Sequence, residues 1–111
     1  MTIVSDDQLE KLAERIKDLL ERNDLWEHGN RLYFNNKAVC AALGVIDDID
    51  VTKYHEYSNP ETITMMVYGR FQEIINHSGG PILEEFNQLI NEYGFYYEQG
   101  TPRDLSLFKR H

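Results

Sequence analysis

Thr62-Ile63-Thr64-Met65-Met66-Val67-Tyr68-Gly69 is the stretch on which the fold turns. In an extended strand, side chains alternate between two faces. Ile63, Met65 and Val67 therefore share one face, and Thr62, Thr64, Met66 and Tyr68 share the other. Large apolar groups on both faces mark a strand inside a sheet rather than at its edge. Ser58-Asn59-Pro60-Glu61 precedes it as a turn, with proline pre-setting one backbone angle. Gly69 ends it.

Downstream the period changes from two to three or four. Residues 70–76 read as a short helix with Phe71, Ile74 and Ile75 inward. His77-Ser78-Gly79-Gly80 is a flexible joint. Pro81 suits a first helical turn, and Ile82, Leu83, Phe86, Leu89, Ile90 and Tyr93 form one apolar stripe. Gly94 closes that helix. Residues 95–99 are then a strand, Gly100-Thr101-Pro102-Arg103 a turn and residues 104–109 a last strand. Leu105 and Leu107 share one face of it; Ser106 and Phe108 share the other.

Upstream, Ser5-x-x-Gln8 fits a capping box, and Asp6 and Asp7 suit the positive end of a helix dipole. Leu9, Leu12, Ile16, Leu19 and Leu20 follow at helical spacing, and Asn23-Asp24 ends that helix. Residues 25–34 read as a hairpin turning at Gly29-Asn30. The Ala-rich residues 37–43, closed by Gly44, read as a short helix; a hairpin turning at Asn35-Asn36 is the alternative. Residues 49–57 are a further strand candidate, out of phase at Tyr54 as a bulge, or a strand that starts later, would make it. The sum is one α+β domain over residues 1–111. We expect a mainly antiparallel sheet of about four to six strands, packed against the N-terminal helix and the long helix near residues 81–93.

A chain of 111 residues, 41% hydrophobic, suffices for one modest core. It has no apolar run of about 18 residues. Its acidic start lacks the pattern of a signal peptide, and a lone cysteine allows no internal disulfide. Cytoplasmic residence is the simplest expectation. The net charge is −8, unevenly placed. Residues 1–37 carry eight acids and six bases, and residues 38–102 carry ten acids against Lys53 and Arg70. Residues 103–111 carry one acid and three bases. Such a chain repels phosphate backbones, so direct nucleic-acid binding is not expected. It attracts basic partners.

Motifs that would specify a reaction are missing. Cys40 sits in an apolar segment without a neighbouring base or cation, the setting of a buried structural thiol. His28, His55, His77 and His111 show no ligand spacing, so no metal site and no cofactor are expected. Asp47-Asp48-x-Asp50 lacks the later glycine and glutamate of a calcium loop. Ser78-Gly79-Gly80 lacks the lysine and spacing of a phosphate loop. Enzymatic activity therefore has no positive support, and no residue is assigned a catalytic role.

The aromatic residues carry more information. Tyr96 and Tyr97 on one strand cannot both face the core, and Tyr54 and Tyr57 are out of phase. Exposed tyrosines among Glu56, Glu61 and Glu98 have the composition of a protein-binding patch. The expected function is that of a small non-enzymatic binding protein, an inhibitor or immunity-type protein that occludes the basic, nucleic-acid-binding surface of a partner. In general character it resembles toxin-immunity proteins and phage-encoded inhibitors. Tyr54, Glu56, Tyr57, Tyr96 and Glu98 are the candidate partner-binding residues. One alternative is an enzyme or ligand-binding protein with a pocket around His55, Glu56 and the loop from His77 to Gly80. Another is a self-associating scaffold, with a homodimer its simplest form.

Overall fold

The computed structural model describes residues 6–49 and 62–110. Helix α1 spans Asp6–Arg22 and leads into three strands, β1 (Arg31–Phe34), β2 (Lys37–Cys40) and β3 (Gly44–Ile46). Strand β4 is Ile63–Met66. Helix α2 (Gly69–Glu73) runs on into a π-helical turn, Ile74–Ser78. Helix α3 is Pro81–Glu92, followed by β5 (Phe95–Thr101) and β6 (Asp104–Lys109). The six strands form one sheet in the order β3-β2-β1-β4-β6-β5, with every neighbouring pair antiparallel. This is the expected α+β architecture.

Strand β4 is interior. It pairs with β1 on one side and β6 on the other. Ile63, Met65 and the following Val67 are buried in the main core, together with the apolar stripes of α1 and α3. Leu32, Phe34, Phe95, Leu105 and Leu107 complete the sheet's contribution to that layer. Phe71 and Phe86 meet edge to face at 5.6 Å, joining α2 to α3. On the opposite face, Tyr33, Ala38 and Cys40 form a second apolar cluster with Ile49 and Met66. The hydroxyls of Thr64 and Ser106 bond each other there at 3.1 Å.

Two upstream expectations are corrected. Residues 25–30 form no strand, and the hairpin turns at Asn35-Asn36, between β1 and β2. Both asparagines have positive φ, 48° and 57°. A two-residue turn with both positions left-handed matches the twist of paired strands, and asparagine tolerates it better than most residues. The short helix expected over 37–43 is therefore β2, whose alternating Ala38 and Cys40 face away from Val39. Helix propensity loses to strand pairing here. Gly44 opens β3 instead of closing a helix.

Residues 25–30 have a different task. Asn30 is buried, and its Nδ2 donates to the carbonyls of Leu25 (3.2 Å) and Glu27 (3.0 Å). Its Oδ1 accepts from the Tyr68 N–H at 3.0 Å, tying this loop to the end of β4. Three smaller differences complete the comparison. Strand β5 extends to Thr101 through an irregularity near Gly100, so the turn narrows to Pro102-Arg103. The helix after Gly69 widens into the π turn, closed by the Gly79 N–H donating to the Ile74 carbonyl at 3.0 Å. Ile74 is half-buried there, while Phe71 and Ile75 are inward. Of the strand expected over 49–57, Ile49 is in no strand; residues 50–57, the Ser5 cap and the turn at 58–61 lie outside the described residues.

The Thr64–Ser106 pair gives a direct test of the sheet's second face. Thr64→Val alone leaves the Ser106 hydroxyl without its partner and is expected to cost about 1–3 kcal/mol. The double variant Thr64→Val/Ser106→Ala should recover most of that loss. Urea unfolding of the three proteins measures both effects.

Candidate functional site

The outer hairpin β5–β6 displays the described part of the candidate patch. Strand parity separates the two adjacent tyrosines. Tyr97 points into the helical layer, where its ring lies 5.7 Å from that of Phe86. Tyr96 points the other way and pairs across the strands with Phe108, ring centroids 6.0 Å apart. The Arg110 guanidinium sits over the Tyr96 ring at 5.5 Å, a cation–π contact. Glu98 lies on the same face as Tyr96, opposite Ser106, and is exposed. A shallow cleft of about 300 Å³ runs beside Glu98, Gln99, Ser106 and Phe108.

The structure thus places Tyr96 and Glu98 on one face, two residues apart. Tyr54, Glu56 and Tyr57 lie outside the described residues, as does His55. Two neighbours, Phe108 and Arg110, were not among the sequence candidates. The parity of the last strand already puts Phe108 on the outward face, but its partner depends on the hairpin register. Arg110 also makes the local charge more mixed than the run of acids suggested.

Other chemistry is sparse among the described residues. No group of three or more His, Cys, Asp or Glu side chains is placed to hold a metal ion. Cys40 is buried. His28 and His77 are exposed. Gly79 and Gly80 both have positive φ, so they shape the joint before α3. Among the described residues no helix is long and apolar enough to cross a membrane.

Two titratable groups are shifted for structural reasons. The Glu27 carboxyl is held below its ordinary value, first by the Arg70 backbone N–H (2.9 Å to Oε2) and then by the Arg70 side chain (3.1 Å to Oε1). That carboxylate occupies the start of α2 where its free N–H groups and positive dipole end favour an anion. Gly69, at φ +65°, is required beside it, because a Cβ there would run into the Glu27 carboxylate. The Arg31 guanidinium is raised, chiefly by its hydrogen bond to the Tyr33 hydroxyl. Both groups are bound into the fold rather than poised over an open pocket.

Ion pairing divides the surface unevenly. Lys11, Lys17, Arg22, Lys37 and Arg70 pair with Asp7, Glu21, Glu85, Glu10 and Glu27 respectively, and Arg15 lies 3.9 Å from Glu92. Glu14, Asp18, Asp47, Asp48, Glu73, Glu84 and Glu98 form no ion pair among the described residues. Comparison with protein-family models, curated proteins and solved structures finds no match to this chain.

Two measurements check this geometry. Tyr97→Ala should cost more than Tyr96→Ala in chemical denaturation, about 2 kcal/mol against about 1 kcal/mol, because only Tyr97 packs against the main core. For Glu27, the folded pKa is depressed, so its contribution is present above the unfolded carboxyl pKa and is lost as pH falls through the folded value. The stability advantage of the native chain over Glu27→Gln should therefore hold at neutral pH and vanish on acidification through and below the carboxylate range.

Proposed function

We propose that this chain is a small, acidic, non-enzymatic binding protein. Its partner is a protein with a basic surface, of the kind that nucleases and defence enzymes use to grip nucleic acid. Its action is occlusion of that surface. One observation carries the reading: among the described residues seven carboxylates form no ion pair, against four bases, Arg31, Arg103, Lys109 and Arg110. The field that remains is negative. Such a field speeds encounter with a positive surface and disfavours acidic partners.

Short-range contact would come from the aromatic pair. Tyr96 and Phe108 offer rigid rings at low entropic cost, and Glu98 stands beside them as an acceptor for Lys or Arg. Tyr54, Glu56 and Tyr57 join this set on their composition alone.

Affinity capture from host extract, eluted along a salt gradient, tests the proposal. The expected result is a basic protein that elutes as salt rises and is held more weakly by Tyr96→Ala and by Glu98→Lys. The captured partner's nucleic-acid binding should fall on adding the native chain. Failure to recover a basic protein, or capture that ignores salt, overturns the reading.

A further inference from the structure

The described exposed large hydrophobics lie close together in sequence. They are Leu43 (65% exposed), Val45 (57%) and Ile46 (38%), on and just before edge strand β3. Their exposure has a geometric cause. Helix α1 packs over β1 and helix α3 over β5, while β2 and β3 extend the sheet beyond α1. Val45 pairs with Val39 on the helical face of this overhang. A groove of about 510 Å³ lies there between α1 and the sheet. Its floor is apolar, made by Ala13, Leu32, Phe34, Val39 and Val45.

The rim carries three acids and two bases: Asp7, Glu10 and Glu14 from α1, with Lys17 and Lys37. Lys37 pairs with Glu10, Lys17 with Glu21 and Asp7 with Lys11, so Glu14 is the rim carboxylate without an ion pair among the described residues. Exposed Asp47 and Asp48 follow β3 directly and have no ion pair among the described residues. Among the described residues β3 is the outermost strand, and such an edge offers backbone N–H and C=O groups to an added strand.

We infer that this groove is a docking site for an extended segment of another protein, one that adds to β3 as a further strand. Its apolar side chains enter the groove over Val45, its alternate Lys or Arg side chains project from the opposite face of the sheet, and the negative field of Asp47, Asp48 and the chain as a whole favours them. Main-chain pairing supplies affinity in this mode, and the alternating side chains supply specificity. Charge selects the occupant. A second copy of this chain would bring a net charge of −8 against an equal charge. The flanking Asp47-Asp48 thus opposes self-pairing of the edge and favours a basic strand. The inference rests on the reading of a basic partner and names a place and a binding mode for it.

The test is a titration of the isotope-labelled chain with a short synthetic peptide of alternating valine and lysine, followed by amide shifts. The control peptide alternates valine and glutamate. Binding of the lysine peptide with shifts in residues 39–48 and along the groove wall of α1, weakened by salt, is the expected result. Val45→Lys, an exposed edge substitution, should weaken it about tenfold or more, with the folded amide spectrum retained. Absence of binding, or equal binding of the glutamate peptide, overturns the inference. So do shifts centred on Tyr96 and Phe108, although that outcome leaves the basic-partner reading standing. A concentration-dependent dimer that Val45→Lys abolishes would make a second copy the occupant and overturn it too. Native capture that yields no basic protein removes the functional reading, whatever the peptide does.

Discussion

The structure depends on the burial of one face of a single interior strand. Ile63, Met65 and Val67 close the main core from the sheet side, and both backbone edges of β4 are taken up, by β1 and by β6. A one-residue slip of β4 would send all three side chains to the wrong face and bring Thr64 into the helical layer. The Thr64–Ser106 hydroxyl pair reinforces that register from the opposite side, since each hydroxyl is satisfied only when the two strands are correctly aligned.

The exit from β4 is held almost as firmly. Asn30 bonds the Tyr68 N–H, Glu27 accepts from the start of α2, and Gly69 leaves room for that carboxylate. Arg70 also reaches the carbonyl of Asp24. Loop 25–30 therefore works as a clasp between the end of α1 and the point where the chain turns from β4 into α2. Buried polar side chains of this kind are costly unless every bond is made, and Asn30 uses both its donors and its acceptor.

Function and stability occupy different sides of the same sheet logic. Residues that alternate inward complete the core, and the surfaces proposed for recognition lie near the two sheet edges. At one edge, Tyr96 and Phe108 form an aromatic pair beside Glu98. At the other, β3 overhangs α1 and exposes Val45 above the groove. The net charge of −8 sets the long-range field, so charge and contact surfaces act at different distances.

Much of this was legible in the chain. The period-two run at 62–68, the stripe from Ile82 to Tyr93 and the Gly94 stop foretold the interior strand and the long helix. The incompatibility of Tyr96 and Tyr97 foretold that one must leave the core. These are local properties, because alternation and helical spacing follow from backbone geometry alone. The hairpin at Asn35-Asn36 was only an alternative, since Ala38, Ala41 and Ala42 favour a helix locally and pairing with β1 and β3 outweighs them. Phe108 and Arg110 beside Tyr96 depended on register. By itself the sequence determined the fold class, the inward face of each main element and the acidic balance. Only the tertiary structure decided the strand order, the clasp at Asn30 and the overhang of β3 beyond α1, because these arise from pairings between residues far apart in the chain, which no local pattern encodes.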